Sequence, residues 1–315
     1  LPVLTAFGVP TSFYDVHKNF FIEDGQLRPV AIADETMAAL SFLNRLYNAG
    51  LINRDFPQMS SFPLMHEKYF LADQAGAGWF QNPAGQQNQL RQVAPDAEVG
   101  TLPPFSADGH EFTKATGIVV NGWISVMNGS ANPDKAIEVL EYVNSREGRQ
   151  LLTAGIEGVH YESFDSEGYF TRNQEAWEAD YGSEASYPLY FYFGQGLMHG
   201  YVPVEEYATF EEAIENVQLF DPAEYRGTKQ GFKSLIPVAA EWSGAANPFQ
   251  FVNFPELNDL QAAVNEVLVV GWTKAISAPE GQFQAAWDEF LAEWDRVDGD
   301  AWVQAYQDYY DENLK

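Results

Sequence analysis

The sequence predicts an α/β fold, because stretches with helical periodicity alternate with short apolar stretches typical of β-strands. Two amphipathic helices are predicted before residue 155, and the residues from Leu257 onward are predicted to be helical nearly to the end. Apolar stretches outside these helices supply the strands. With 315 residues, the chain is long enough for two lobes or one large domain.

The first predicted helix starts at Asp34, whose side chain is suited to cap the first turn. Gly50 is expected to end this helix in the left-handed conformation, with Leu51 packing back against it. The apolar positions within it recur at helical spacing and are Met37, Leu40, Leu43 and Tyr47.

The second predicted helix starts at Asn132, with Pro133 at the first helical position. Ser145 is then placed to cap a further short helix that runs through Leu152. One face of the longer helix is apolar and consists of Ala136, Ile137, Leu140 and Val143.

Three apolar stretches are predicted as strands: residues 74–80, which include Trp79, residues 97–102 and residues 117–126. The C-terminal helices carry apolar stripes, which predict a packed core. The stripes consist of Leu260, Val264, Leu268 and Trp272, then Phe283, Trp287, Phe290, Leu291 and Trp294, and finally Trp302, Tyr306 and Tyr309.

Acidic residues far outnumber basic ones, with 45 Asp and Glu against 17 Lys and Arg, for a net charge of −28. So few cations cannot form a stripe that neutralises phosphates, so nucleic acid is not expected as a partner. The sequence contains no cysteine, which excludes disulfides and thiolate metal sites. No apolar run reaches the ~20 residues of a membrane-spanning helix.

Metal and cofactor motifs are incomplete. The five histidines never occur two or four residues apart, so a histidine metal site is not predicted. His66-Glu67 and His110-Glu111 lack the second histidine of a zinc-protease helix, and Gly76-Ala77-Gly78 lacks the third glycine of a dinucleotide-binding loop. We therefore predict no metal and no cofactor.

Four tryptophans lie outside the helical stripes: Trp79, Trp123, Trp177 and Trp242. Trp123 lies inside an apolar strand and is interpreted as structural. An indole face suits the apolar face of a pyranose ring, while neighbouring polar side chains can bond its hydroxyl groups. The other three are therefore candidates for sugar binding, although a buried tryptophan needs no ligand.

Several motifs together resemble one family. The run Gly155-Ile156-Glu157-Gly158-Val159-His160-Tyr161, followed by Asp165 to Tyr169, resembles a hallmark of extracellular solute-binding proteins of family 1. Residues 43–52 are similar to that family's helix ending in LY-x-x-G-L-I, and Phe70 to Phe80 resembles its segment that runs into a site tryptophan. The family serves bacterial ABC importers for sugars, and its Gram-positive lipoprotein branch often handles oligosaccharides.

The resemblance implies the two-lobed α/β clamp of type II periplasmic binding proteins, similar to maltose-binding protein, with a helical C-terminal region. Residues 1–102 would form the first part of the second lobe. Residues 103–161 would contain a hinge crossing and part of the first lobe, and residues 162–315 would return to the second lobe, with a further crossing left open. Family members carry an earlier first-lobe segment, so we expect the clamp to be N-terminally incomplete or completed by a separate polypeptide.

The resemblance also implies a function without catalysis. The protein would capture an oligosaccharide between its lobes outside the cell and deliver it to ABC permease subunits. It would be anchored to the membrane through a lipidated N-terminus that is absent from this sequence. Trp79 matches the site tryptophan of the maltose-binding type, whereas His160 and Tyr161, in the matched motif, suit a hinge or packing role equally well. The candidate ligand-binding residues are Trp79, His160, Tyr161, Trp177, Tyr190, Tyr192 and Trp242.

Two other classes of function stay open. A secreted glycoside hydrolase would need a carboxylate pair, for which residues 161–255 offer many acids and aromatics. A structural domain would use all of its aromatic residues as core. The sequence does not name the sugar, and one or two arginines such as Arg45 or Arg172 would suffice to hold a uronate.

Overall fold

The structure is a computed structural model that divides into two compact units. Unit 1 consists of Leu1–Ser60, Pro103–Asn121 and Ala239–Lys315, and unit 2 consists of Ser61–Leu102 and Gly122–Val238. The residues that the structure describes are 2–11, 16–58, 69–78, 90–100, 102–113, 115–117, 125–182, 200–201, 208, 212, 216, 218–219, 221–222 and 243–315.

The division into units differs from the predicted ranges. A change of unit falls between Leu102 and Pro103, and a hinge crossing there stays a prediction. Residues 1–102 are nevertheless split at Ser60, and residues 162–315 are split at Val238, because packing rather than chain continuity defines each unit. Which unit corresponds to which lobe of the family stays a prediction.

Both units contain helices and strands among the described residues. The helices are α1 (Pro2–Ala6), α2 (Asp34–Asn48), α3 (Pro133–Asn144), α4 (Arg146–Ala154), α5 (Gln174–Tyr181), α6 (Asn258–Ser277), α7 (Phe283–Arg296) and α8 (Gly299–Asn313). The strands are β1 (Phe20–Glu23), β2 (Gln26–Pro29), β3 (Ala115–Gly117), β4 (Tyr161–Phe164), β5 (Tyr169–Arg172), β6 (Gly200–Tyr201), β7 (Gln218–Leu219), β8 (Asp221–Pro222) and β9 (Ser243–Ala246).

The strands form small sheets. In unit 1, β1 and β2 are an antiparallel hairpin, and β3 pairs with β9 in parallel. In unit 2, β5 lies between antiparallel β4 and parallel β8, and β6 pairs with β7. The hairpin turn in unit 1 is Asp24-Gly25, and both residues have positive φ, as a two-residue turn with the twist of the flanking strands requires.

The predicted strands at 74–80 and 97–102 are not found where the structure describes them. Residues 74–78 and 97–100 are irregular, because their alanines and glycines offer few large side chains to pack on a sheet. The third predicted strand, 117–126, meets β3 only at Gly117, and residues 118–124 lie outside the described residues.

Helix α2 confirms the first predicted helix, with two differences in detail. Asp34 is the first helical residue and makes no capping bond, so its charge acts on the helix dipole instead. Gly50 ends the helix with φ +73°, and the amide of Leu51 donates to the carbonyl of Leu46 at 2.9 Å, as in a Schellman motif. Leu51 itself is 74% exposed, so the expectation that it packs back was wrong.

In unit 2, α3 starts as predicted, with Asn132 as the residue before it and Pro133 at the first position. The hydroxyl of Ser145 accepts from the amide of Gly148 and caps α4, which runs to Ala154. No residue of α3 is buried, and Ile137 is 46% exposed. The predicted apolar face of α3 is therefore only partly covered.

The C-terminal helices confirm the predicted packed core. Buried side chains of α6, α7 and α8 pack with β1, β2, α2 and the segment before α6. The fully or nearly fully buried members of this cluster are Phe20, Leu27, Ala31, Leu40, Phe249, Val252, Val264, Leu268, Trp287, Phe290, Trp294, Trp302 and Tyr306. Trp272 is only partly buried, and its indole Nε1 donates to the carbonyl of Ala31 at 3.1 Å.

Buried amide side chains join the two ends of the chain within unit 1. Asn44 Nδ2 on α2 lies 2.7 to 3.2 Å from the carbonyl oxygens of Ala275, Ile276 and Ala278, at the end of α6. Gln307 accepts from the amide of Leu27 at 2.8 Å and donates to the carbonyl of Gly25 at 3.0 Å. These contacts satisfy backbone groups that water no longer reaches.

Among the described residues, no helix is both long and apolar enough to cross a membrane.

Asn44→Asp tests the junction between α2 and α6. The change keeps the size of the side chain but replaces the amide donor with a carboxylate facing three carbonyl oxygens at the negative end of a helix. We expect the free energy of unfolding to fall by about 3 kcal/mol, measured by urea denaturation with tryptophan fluorescence. Asn313→Asp is the control, since Asn313 is exposed and bonds only within its own helix. A similar loss in both variants would contradict the role of Asn44.

Arg28, on the hairpin of unit 1, bonds two carboxylates, one on the hairpin and one on α2. Its guanidinium donates to both carboxylate oxygens of Glu35, at 2.8 and 3.0 Å, and to Glu23 at 2.9 Å. It also lies 3.9 Å from the ring centroid of Phe21. Hydrogen bonding to Arg28 lowers the pKa of the Glu35 carboxyl below its usual value of 4.5.

Glu35→Gln tests this ion pair through its pH dependence. Because the pKa of Glu35 is lower in the folded protein than in the unfolded chain, its stabilising contribution is complete above pH 4.5 and is lost as the pH falls through the folded value. We therefore expect the variant to be less stable than wild type at neutral pH and to approach it in acid. Glu23→Gln, which keeps the two bonds to Glu35, is the matched control. Parallel stability curves for Glu35→Gln and wild type would refute the assignment.

Candidate functional site

The motif from Gly155 to Tyr161 forms a tight turn between α4 and β4 in unit 2. Gly155 has φ +82°, and a Cβ atom there would lie 2.5 Å from Nδ1 of His160. Gly158 has φ +76°, and its amide donates to the carbonyl of Tyr161 at 2.7 Å. Both glycines are thus required by the backbone, and the first also leaves room for the imidazole ring.

His160 is fully buried in this turn, and both of its ring nitrogens have partners. Nδ1 accepts from the amide of Ile156 at 2.9 Å, and Nε2 lies 3.1 Å from Oδ2 of Asp180. Since Nδ1 accepts a bond, the proton lies on Nε2, which donates to the carboxylate. The ring therefore joins the turn to α5.

Trp177 lies on α5, a helix too short for its apolar spacing to be visible in the sequence. Its side chain is 1% exposed and packs against His160 and Tyr181, with ring centroids 5.7 and 4.5 Å away. The guanidinium carbon of Arg172 lies 4.2 Å from the Trp177 ring centroid, and Nη2 of Arg172 donates to the carbonyl of Thr153 at 3.0 Å. The indole is thus covered on several sides.

Tyr161 is 2% exposed and belongs to a neighbouring aromatic cluster. Its ring centroid lies 4.8 Å from that of Phe164 and 5.4 Å from that of Phe170. The hydroxyl accepts from Nε2 of Gln150 at 2.7 Å, and burial raises the pKa of the phenol.

The structure thus brings His160 and Trp177 together and places Tyr161 beside them, all three buried among protein atoms. Stacking on a sugar needs an open ring face, and these rings already pack against other side chains. The geometry supports the packing role that the sequence left open for the matched motif, and ligand contact by these three residues stays a prediction. The other candidates, Trp79, Tyr190, Tyr192 and Trp242, lie outside the described residues.

Sequence reasoning missed the polar partners of this cluster. Asp180 and Gln150 bond His160 and Tyr161 from helices on either side of the β4–β5 hairpin. Asp180 lies on the short helix α5, twenty residues after His160, and neither a short helix nor so distant a partner produces a periodic pattern in the sequence. Arg172, considered for a uronate, contacts Trp177 and the end of α4 instead.

The fold is that of the extracellular solute-binding proteins of ABC transporters. An HMO binding ABC-transporter associated solute binding protein from Bifidobacterium longum infantis ATCC 15697 is 16% identical, with a TM-score of 0.60 over 98% of this chain and 60% of its own. An extracellular solute-binding protein from Bifidobacterium longum subsp. infantis is 16% identical, with a TM-score of 0.63 over 99% of this chain and 61% of its own. The alginate-binding protein AlgQ2 is 16% identical, with a TM-score of 0.56 over 98% of this chain and 62% of its own.

In sequence, the chain is similar to the lipoprotein LipO of Bacillus subtilis (strain 168), with 28% identity over 176 residues. That match covers 50% of this chain and 32% of LipO. No family model matches. The chain thus corresponds to less than two thirds of the length of each of these relatives. The predicted fold class, an α/β fold of the two-lobed periplasmic-binding-protein type with a helical C-terminal region, is confirmed.

His160→Leu tests the buried turn. The variant leaves the amide of Ile156 without its acceptor and removes the bond to Asp180, so we expect the free energy of unfolding to fall by about 2 to 4 kcal/mol. The amide of Ile156 should also exchange its hydrogen faster, as measured by NMR. Asp180→Asn is the control, because it keeps an oxygen acceptor for Nε2. Unchanged protection of Ile156 in His160→Leu would show that His160 does not hold the turn.

Proposed function

We propose that this chain belongs to the ligand-binding component of an ABC importer and that its ligand is an oligosaccharide. The observation that carries the proposal is the match of its fold to solute-binding proteins over 98% or more of the chain. The names of two of these relatives mention HMO and alginate, which agrees with a saccharide as the ligand class. No bond is broken in this function: the ligand is captured between two lobes and released to the transporter.

We propose that the sugar stacks on aromatic residues outside the packed cores, with Trp79 as the main contact and Tyr190, Tyr192 and Trp242 as further contacts. Aromatic residues make up 15% of the chain, and the face of an indole or phenol ring suits the apolar face of a pyranose. Each stacked ring would contribute on the order of 1 kcal/mol beyond area burial. His160, Tyr161 and Trp177 would act by holding the neighbouring backbone in place.

The charge of the chain favours a neutral oligosaccharide over an acidic one. With 17 basic and 45 acidic residues, the chain repels polyanions at long range. Arg172, one of two arginines considered for a uronate, is engaged by the Thr153 carbonyl and the Trp177 ring. Neutral hydroxyl groups are not subject to this repulsion and can be bonded by uncharged side chains.

Delivery to permease subunits and an extracellular location with lipid anchoring complete the proposal. The relatives support both, since they are extracellular solute-binding proteins and a lipoprotein.

No structural observation among the described residues favours the glycoside hydrolase hypothesis. A general acid needs a carboxyl group with a raised pKa. The carboxyl groups of Glu35, Glu293 and Asp311 have pKa values that are lowered instead of raised. The cause in each case is a hydrogen bond to Arg or Lys. Most of the segment suggested for a carboxylate pair, 161–255, lies outside the described residues, so the hypothesis stays open to product analysis.

Trp79→Ala tests the proposed ligand contact. We expect affinity for a neutral oligosaccharide to fall at least ten-fold, because the stacking surface is lost, while the melting temperature stays nearly unchanged. Calorimetric titration with a panel of neutral di- to hexasaccharides gives the affinity. Unaltered affinity would refute the assignment.

Trp177→Ala is the matched control for a buried indole. It leaves a cavity beside His160 and should lower the melting temperature by several degrees. If Trp79→Ala destabilises the protein as much as Trp177→Ala, Trp79 is a core residue instead of a ligand contact.

A further inference from the structure

Unit 1 contains a cleft that none of the predicted site residues lines. Its volume is about 430 Å³, and its lining residues are His17, Asn253, Asn258, Gln261, Ala262 and Asn265. Sites for small molecules have volumes of roughly 300 to 1,000 Å³. The cleft is therefore large enough for a single sugar ring and is contained within one unit.

Three of the amides belong to one flank of α6. Asn258, Gln261 and Asn265 follow one another at spacings of three and four residues, so they project from the same side of the helix. The rotation of α6 is set by Val264 and Leu268, which are buried in the core. The amide flank consequently has a defined direction.

The two lining residues outside α6 also lie beside packed core residues. Asn253 lies between Val252, which is buried, and Phe254, whose ring meets those of Trp302 and Tyr306 edge-on. Nε1 of Trp302 donates to the carbonyl of His17 at 3.0 Å. The lining groups therefore sit on elements that core packing has already positioned, which reduces the entropy lost when a ligand binds.

The chemistry of the lining selects a class of ligand. Four of the six residues carry side-chain amides, and none is Asp, Glu, Lys or Arg, in a chain with 62 charged side chains in total, 17 basic and 45 acidic. An amide offers both a donor and an acceptor, as does each hydroxyl of a diol. An acidic ligand would find no cationic partner here and would meet a net charge of −28.

We propose that this cleft binds one neutral pyranose ring and forms a sugar subsite within unit 1. It is separate from the contact proposed at Trp79, which belongs to unit 2. Amide groups bond the hydroxyls, while Ala262 leaves space for the ring. The subsite does not depend on transport, so either proposal can fail alone.

The test is an NMR titration of the full chain carrying Trp79→Ala, which removes the contact proposed in unit 2. The probes are D-glucose, D-galactose and N-acetyl-D-glucosamine, with D-glucuronate as the acidic comparison. We expect saturable shifts with at least one neutral sugar and at least ten-fold weaker binding of glucuronate. No saturable binding of any neutral sugar, or equal binding of glucuronate, would overturn the proposal.

The double variant Gln261→Leu/Asn265→Leu assigns the binding to the cleft. Leucine is a better helix former than asparagine, so α6 should persist, and we expect affinity to fall at least ten-fold. Gln304→Leu/Asn313→Leu changes two exposed amides on α8 of the same unit and should leave affinity unchanged. If the leucine pair impairs folding, Gln261→Met/Asn265→Ala also removes both amides while using good helix formers, and it is expected to weaken binding similarly. Binding that survives both cleft variants would refute the assignment.

Discussion

Unit 1 depends on contacts between the first sixty residues and the C-terminal helices. Gln307 bonds the β1–β2 hairpin across 280 residues, Trp302 bonds the carbonyl of His17 across 285, and Asn44 bonds the end of α6 across more than 230. A buried backbone group without a partner costs about 1 to 3 kcal/mol, so neither end of the chain can form its part of the core alone. Closing this core brings together segments about 280 residues apart, which has a cost in loop-closure entropy.

The glycine motif of unit 2 shows how residue types associated with ligand binding can be used for packing. Gly155 gives the imidazole of His160 its space, and the imidazole then satisfies the amide of Ile156 and reaches Asp180 on α5. Trp177 closes the same cluster. A short turn between a helix and a hairpin is thereby made rigid, and a rigid turn can hold neighbouring segments at the fixed positions that ligand recognition requires.

The net charge of the chain and the chemistry of the proposed contacts both favour a neutral ligand. An excess of acid on a chain with few cations favours solubility and discourages polyanions. In our proposals, recognition uses uncharged groups, which are ring faces contributed by unit 2 and amides in the cleft of unit 1. Both suit neutral hydroxyl-rich molecules, since stacking and amide bonding require no charge on the ligand.

Local patterns determined much of the fold, because helix starts, helix ends and apolar stripes depend on residues that are close together in the sequence. Pro133, Ser145, Gly50 and the tryptophans of α7 and α8 were all interpretable in this way. The sequence also determined the class of fold through its motifs. Only the tertiary structure decided that His160 and Trp177 are buried together and that His17 borders the same cleft as the amides of residues 253–265. These arrangements depend on tertiary contacts between separate segments of the chain. The spacing of residues within one segment does not determine which other segment it contacts.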